Sequence, residues 1–360
     1  MDARIDWIDD RAAFDGLREE WDRLAADDPT PFARHAWFAC WWDAFAPGGR
    51  LQVCTARRDG ELVAAFPLYS PSRGRLRAMA NDHTSVFSPL ARDGDALAAV
   101  CEAALTRAGE LEVTALAADG DAARCLRELA GRHGRMTLAE RHADAPIVET
   151  AGDLEAYRKE KKSGLRETER RRRKLGREHE VEFKLVEPPD DLDEDLRRGF
   201  EVEASGWKGE SGTAILGSPE TRDFYLSIGR AYHEAGELAL SGLTVDGRLV
   251  AFDFAILHAG RYWLQKTGYD ESLRKMAPGL VLRLAVVERC FEMGLEAHEF
   301  IGDDMDYKRL FATDYRRHEV LRSYSRRPVS AVRYSYRRSA RPALKRVRER
   351  LSEARGRRAR

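Results

Sequence analysis

Two periods of hydrophobicity alternate along this chain, one of three to four residues and one of two, which is the signature of helices interleaved with strands. In residues 4–46, Phe14, Leu17, Trp21 and Leu24 make one helical stripe. Pro31-Phe32 then leads into an aromatic-rich helix at 35–45, which Pro47-Gly48-Gly49 ends. Residues 51–57 and 62–69 read as two strands joined at Arg58-Asp59-Gly60, a hairpin turn in which glycine supplies the left-handed backbone. A basic loop follows at 70–77, and the polar stretch 81–90 shows neither period. Helices are expected at 96–108 and 122–133, with a strand at 111–116 between them and a short one at 147–149. A long charged helix spans 153–180, then come a strand at 181–186, an acidic loop at 188–195, and helices at 196–207 and 219–235. Residues 237–245 and 249–257 form a second hairpin around Asp246-Gly247, His258-Ala259-Gly260 turns into a third strand at 261–267, and 297–301 is another strand. Alternating helix and strand means an α/β architecture.

One helix start stands apart. Leu280, Leu284, Val287 and Phe291 recur at helical spacing, Pro278 suits the first helical position, and Gly294 suits the residue after the end. Ala277, just before the helix, has no oxygen to cap it. The N–H groups of Gly279, Leu280 and Val281 therefore need another acceptor. Arg274 and Lys275 lie in the preceding loop. Free N–H groups beside two cations describe an anion site, with phosphate as the natural ligand and water as the plain alternative.

The hairpins share a motif. Asp59-Gly60-Glu61-Leu62-Val63-Ala64 and Asp246-Gly247-Arg248-Leu249-Val250-Ala251 both read D-G-x-L-V-A, each after an aromatic-bearing helix and a strand. Duplication of one unit is expected. Only the second copy runs on into the phosphate-like helix start, so the first half, residues 1–150, reads as scaffold and residues 151–320 as the working half.

Composition narrows the picture. The 360 residues are 43% hydrophobic and 34% charged with a net charge of zero, so the chain as a whole is not built to bind polyanions. Basic charge is local. Residues 158–177 hold eleven Arg or Lys against Glu160, Glu167 and Glu169, and residues 316–360 hold 17 against three Glu. Residues 321–360 therefore read as a basic tail, with a helix at 342–355, solvated and offsetting acidic surface elsewhere, with contact to RNA, DNA or an anionic membrane face as the alternative. No apolar run approaches the roughly 20 residues of a membrane span. The acidic start MDARIDWIDDRAAF lacks a signal-peptide layout. The five cysteines are scattered without C-x-x-C spacing, which disfavours a disulfide framework and a zinc site. A cytoplasmic protein is expected, with peripheral contact at the inner membrane face through the tail as an option.

Carboxylates supply the candidates for chemistry. Asp253 interrupts the apolar strand A-F-D-F-A-I, so it needs either a core arginine or a polar cleft. Asp303 and Asp304, with Asp306, cluster after a strand end, where a raised pKa would suit a general base, with an ordinary solvated turn or a cap for a following helix as the plain alternative. The run D-D-M-D-Y lacks the glycine and distal glutamate of a calcium loop, so no metal is expected. Lys266 and Lys308 are placed to pair with these carboxylates or to bind an anionic acceptor.

The order helix, hairpin, third strand, basic loop, helix, strand resembles the acyl-CoA-binding core of the GNAT acetyltransferases. The loop Arg274-Lys275-Met276-Ala277-Pro278-Gly279 is similar to that superfamily's pyrophosphate signature, Arg/Gln-x-x-Gly-x-Gly/Ala, with Ala277 in place of the first glycine. Adding Gly206-Trp207-Lys208-Gly209, Leu264-Gln265-Lys266-Thr267-Gly268-Tyr269-Asp270, Gly302-Asp303-Asp304 and Tyr307-Lys308, the pattern resembles the bacterial branch labelled cellulose-biosynthesis (CelD/BcsL-type) acetyltransferases, related to the FemAB-like transferases. The likeness is tightest over about residues 155–315 and extends to residues 31–69. It implies tandem GNAT-like domains with mixed central sheets flanked by helices. It implies acetyl-CoA or another acyl-CoA as co-substrate, held by Gln265, Lys266, Thr267, Arg274, Lys275, Ala277, Pro278, Gly279 and Leu280. It implies catalysis by Asp303, Asp304, Asp253, Tyr307 and Lys308, with Trp207, Lys208 and Tyr269 on the substrate. The acceptor would be an amine or hydroxyl of a small molecule, sugar or cell-envelope precursor. Two rivals remain: a FemAB-like transferase using aminoacyl-tRNA, and a non-catalytic module that binds RNA or membrane through the basic segments.

Overall fold

The computed structural model describes residues 3–46, 48–205 and 214–340. Its first half runs β1 (Arg4–Ile8), a helix His35–Phe45, β2 (Arg50–Leu51), the hairpin β3 (Val53–Arg58) and β4 (Glu61–Phe66), short strands β5 (Leu68–Ser70), β6 (Arg75–Ala78) and β7 (Leu90–Ala91), a helix Gly94–Arg107, β8 (Glu110–Ala117), a helix Asp121–Arg132 and β9 (Met136–Glu149). The second half repeats the order. A helix Leu154–Glu178 and β10 (Val181–Glu187) lead to helices Leu192–Ala204 and Pro219–Glu234. The hairpin β11 (Leu238–Val245) and β12 (Arg248–His258), β13 (Arg261–Tyr269), a helix Pro278–Glu292, β14 (Ala297–Glu299), a short helix Asp306–Arg309 and β15 (Asp314–Tyr324) follow.

The repeat is visible at the backbone. Both D-G turns put two consecutive residues in the left-handed region, Asp59 at φ 53° with Gly60 at 84°, and Asp246 at 49° with Gly247 at 77°. That is the type I′ geometry whose twist matches antiparallel strands. Aspartate thus shares the left-handed turn that the sequence reading gave to glycine alone. Each motif also carries a bulge at the same place. The register steps from Arg57↔Leu62 to Ala56↔Ala64, leaving Val63 extra, and from Thr244↔Leu249 to Leu243↔Ala251, leaving Val250 extra.

Among the described residues the strands form a four-stranded sheet, β1-β3-β4-β7, and an eleven-stranded sheet, β10-β11-β12-β13-β14-β9-β15-β8-β6-β5-β2. The halves exchange their last strands. First-half β9 lies between β14 and β15, and second-half β15 lies between β9 and β8. The boundary expected at residue 320 therefore falls inside a strand, and the basic tail begins later than residue 321. Similarly, 136–149 is one continuous strand, where only 147–149 was expected. The acidic stretch expected as loop starts a helix at Leu192, because the Asp191 carboxylate accepts the Glu194 N–H at 3.2 Å and caps it. The expected helix at 342–355 lies outside the described residues.

Helices cover both faces of the second-half sheet. On one side, helices Leu192–Ala204 and Pro219–Glu234 join the first-half core, with Phe32 edge-on to Trp263 at 5.6 Å and Trp37 edge-on to Phe224 at 5.2 Å. On the other side, Val281, Leu284 and Val287 of helix Pro278–Glu292 pack with Leu165 and Leu175 of the long basic helix. Two arginines of that basic helix, Arg158 and Arg172, bind Glu288 at 2.6 and 2.5 Å. Part of its charge is therefore spent on docking.

Candidate active site

The site lies where two parallel strands part. β13 and β14 pair over only three positions, Arg261↔Ala297 to Trp263↔Glu299. Beyond them, residues 264–269 continue away from residues 300–302, and a cavity of about 580 Å³ opens in the gap. The β12–β13 register jumps from Ala255↔Leu264 to Phe254↔Lys266, so Gln265 is a bulged residue at the opening. A bulge breaks the ladder and redirects a side chain. Gln265 lines the cavity with 9% of its surface exposed, and neither amide atom has a hydrogen-bond partner among the described residues. Two unsatisfied buried polar atoms cost about 1–3 kcal/mol each unless a ligand meets them.

Helix Pro278–Glu292 aims its start at the same space. Ala277 is left-handed, φ 51° and ψ 53°, and no side chain caps the helix. The Ala277 carbonyl accepts the N–H of Leu280 at 3.0 Å and of Val281 at 3.1 Å. Two of the three N–H groups expected to need an outside acceptor are thus satisfied within the turn. The Gly279 N–H is left without a partner among the described residues. A Cβ at Gly279 would sit 3.0 Å from the Tyr269 ring, so a larger side chain meets that ring as well. Arg274, Ala277, Gly279 and Leu280 line the cavity beside Gln265, Lys266, Thr267 and Tyr269. Lys275 and Pro278 are not among the lining residues. Lys266 holds its ammonium 5.0 Å from the Tyr225 ring centre.

Beneath the cavity runs a buried polar chain. Asp253 accepts Arg283 Nη2 at 2.6 Å, the same nitrogen reaches Thr267 Oγ1 at 3.3 Å, and Arg283 Nη1 meets His298 Nε2 at 3.0 Å. Asp253 is fully buried and Arg283 is 1% exposed. Of the two expectations for Asp253, the core arginine is realised, and the carboxylate is engaged rather than poised. Burial, followed by the neighbouring Arg283 charge, holds His298 well below the ordinary histidine range. The imidazole is therefore neutral and accepts from the guanidinium.

The aspartates after β14 face elsewhere. Asp303 pairs with Arg141 at 2.6 Å, Asp304 with Arg309 at 2.7 Å, and none of Asp303, Asp304 and Asp306 lines the cavity. Slight desolvation pushes the Asp303 pKa up, but the Asp304 N–H and the Arg141 charge outweigh it, and the net shift is downward. This corrects the expected raised pKa, since a carboxylate lowered by a cation is a poorer base. Lys308 is buried and donates to the carbonyls of Ile301 at 2.6 Å and Asp303 at 2.8 Å. It stitches a strained turn in which Ile301 and Gly302 are both left-handed, φ 41° and 64°. Tyr307 lines the cavity, and desolvation raises its pKa to about 12, so its hydroxyl keeps its proton at neutral pH. Trp207 and Lys208 lie outside the described residues.

Several lining residues escaped the sequence reading. Asp82, His83 and Ser85 come from the first half and close one wall. His83 stacks on Phe45 at 5.1 Å, and its Nδ1 lies 3.3 Å from the Tyr225 hydroxyl. Desolvation, then the Lys266 charge, lowers its pKa to about 4. Arg171 reaches the lining from the long helix, and Glu203 from helix Leu192–Ala204. One signal for the latter was available. Gly268 sits inside a strand, and a Cβ there would be 2.3 Å from the Glu203 Cα, so the glycine marks where helix and strand backbones touch.

Residues 162–309 match the family model of the acetyltransferase (GNAT) domain. No curated protein matches the chain in sequence. Solved structures resemble it over most of its length. The C-terminal domain (DUF2156) of a putative lysylphosphatidylglycerol synthetase from Agrobacterium fabrum is 13% identical with a TM-score of 0.55, covering 89% of this chain and 94% of that one. FemX is 11% identical with a TM-score of 0.55, covering 84% and 95%. L-PGS from Bacillus licheniformis is 13% identical with a TM-score of 0.53, covering 88% and 94%. The chain thus has a mixed α/β fold with a GNAT-type domain over residues 162–309, and that domain supplies the strands, the helix start and most of the cavity wall described above.

Proposed function

We propose that the chain transfers an acyl group, acetyl in the simplest case, from a CoA thioester to an amine or hydroxyl. One observation carries this reading: an uncapped helix start, with Gly279 N–H free and Arg274 beside it, opens into the gap between β13 and β14. The CoA pyrophosphate would sit against that N–H and the Arg274 guanidinium. The pantetheine arm would follow residues 265–269 inward. The acceptor would enter past His83, Ser85 and Tyr225.

The chemistry is direct attack. The acceptor nitrogen or oxygen bonds to the thioester carbon, and a backbone N–H near the Gln265 bulge stabilises the developing oxyanion. His83, uncharged at neutral pH and facing the cavity, orients the acceptor by hydrogen bonding, and the proton leaves to water, since a pKa near 4 makes the imidazole a poor base. Collapse breaks the C–S bond, and Tyr307 supplies a proton to the leaving thiolate. Asp253, Arg283 and His298 hold the floor and take no proton. The likeness to the cellulose-biosynthesis branch supports a sugar or cell-envelope acceptor, met at the cytoplasmic face of the inner membrane.

A second donor is kept in view by one specific observation. The neighbours above TM 0.5 include a lysylphosphatidylglycerol synthetase domain and FemX, and Arg171 of the basic helix reaches the cavity lining. An aminoacyl-tRNA would use that helix. Thermal melting separates the two: acetyl-CoA raises the melting temperature under the first reading. No response to any acyl-CoA, together with salt-sensitive binding of tRNA, overturns it.

A further inference from the structure

The helix Pro328–Ser335 carries an apolar face that nothing among the described residues covers. Val329 is 64% exposed, Val332 69% and Tyr336, just past its end, 52%. Their spacing of three and four residues puts them on one side. The adjacent side is tied down. Ser330 is buried with its Oγ 3.2 Å from Ser325 Oγ, Arg333 reaches Glu110 at 3.3 Å, and Arg337 reaches Glu112 at 3.4 Å. Those anchors on β8 fix the helix so that the valines point outward.

The charge around this face has one sign. From Val320 to Arg348 the sequence holds no acidic residue. Glu110 and Glu112 engage Arg333 and Arg337, whereas exposed Arg326, Arg327 and Arg338 have no carboxylate partner among the described residues. Residues 341–360 add nine Arg or Lys against two Glu.

We propose that this face docks the protein on an anionic lipid surface. Val329, Val332 and Tyr336 enter the boundary between headgroups and acyl chains, and Arg326, Arg327 and Arg338 meet the lipid phosphates. Charge decides among occupants. A second copy of the face, or the chain's own residues beyond 340, brings arginine against arginine. A nucleic acid meets the arginines but offers no apolar phase to two valines. An anionic bilayer offers both. The inference is independent of the acyl-transfer reading.

Sedimentation with vesicles tests it on the full chain. The protein pellets with vesicles of equal parts phosphatidylcholine and phosphatidylglycerol, stays in solution with phosphatidylcholine alone, and is released by salt. Val329→Ser with Val332→Ser lowers the bound fraction about tenfold, since it removes the apolar share without changing the charge. Both positions are exposed, so an unchanged melting temperature confirms that the variant is folded. Equal pelleting of wild type and double variant overturns the proposal, because basic charge alone then suffices. So does binding to phosphatidylcholine alone, a valine-dependent dimer that ignores vesicles, or binding to RNA but not to vesicles.

Discussion

The two halves begin the helix that follows their sheet in opposite ways. In the first half, the Asp93 carboxylate accepts the Ala96 N–H at 2.8 Å, pairs with Arg58 at 2.9 Å, and is followed by Asp95 in the first turn of helix Gly94–Arg107. In the second, Ala277 offers no side-chain oxygen, the Gly279 N–H has no partner among the described residues, and Arg274 adds positive charge. The strands feeding them also differ: β7 pairs with β4 at two positions, whereas β13 pairs with β12 at eight. The hairpins before them agree down to the bulged valine. One scaffold thus serves two ends, and under the acyl-transfer reading the cap and the third strand together separate the half that receives an anion from the half that does not. A carboxylate already at the helix start neutralises the dipole that a phosphate would use.

The largest effect belongs to the floor of the working half. Arg283→Met leaves Asp253 buried without its cation, and loss of one partner of such a pair costs about 3–5 kcal/mol. Urea denaturation reads the loss. Arg283→Met with Asp253→Leu restores much of it, because the burial penalty leaves with both charges. A double variant no more stable than the single one breaks the view that the pair is structural.

Next is the helix start itself. Gly279→Asp puts a carboxylate where the pyrophosphate is proposed, and acetyl-CoA affinity by titration calorimetry falls about 100-fold, roughly 2.7 kcal/mol. Gly279→Ala separates charge from bulk. Its methyl meets the Tyr269 ring, which shifts by tenths of an ångström, and affinity falls far less. Equal losses from both variants mean that space, not the anion, is what Gly279 provides.

The mirror experiment is smaller. Asp93→Ala removes the first-half cap and costs about 1 kcal/mol of stability. Acyl-CoA stoichiometry stays at one per chain, because the first half still lacks the long third strand and its bulge. A second equivalent bound by Asp93→Ala shows that the cap alone separates the halves.

This contrast was half legible in sequence. The D-G-x-L-V-A echo and the Ala277-Pro278-Gly279 start are local, and local chemistry reads out in one dimension. The exchanged strands are not local. Arg322 in β15 is buried against Glu112 of β8 at 2.5 Å and Glu140 of β9 at 2.8 Å, and Arg316 meets buried Glu299 at 3.1 Å. Strands whose charges are matched only across the sheet look like a basic tail and a polar loop when read alone. The acceptor wall was hidden for the same reason. The Asn81–Leu90 stretch has no period, because its role is set by Phe45, Thr221 and Tyr225, which lie far from it in the chain.

His83 gives the subtlest test, since it is where the scaffold half enters the working site. Its pKa falls from 6.5 to about 4, through desolvation first and the Lys266 charge second. Folded protein therefore keeps it neutral, while the unfolded chain protonates it below about pH 6.5. Between those values the unfolded state binds more protons, so stability rises with pH and is lost as pH falls. His83→Gln keeps a polar side chain on the wall and removes the titration. Its stability is flatter than wild type across that window, by up to one proton in the slope, while acetyl-CoA affinity holds. The acyl-transfer rate falls, because the glutamine amide does not reproduce the imidazole's hydrogen-bond geometry to the acceptor. If the pH slope flattens but the rate is untouched, His83 is only a buried wall residue and the first half contributes shape alone. If neither changes, the imidazole is solvated and the wall is open to water.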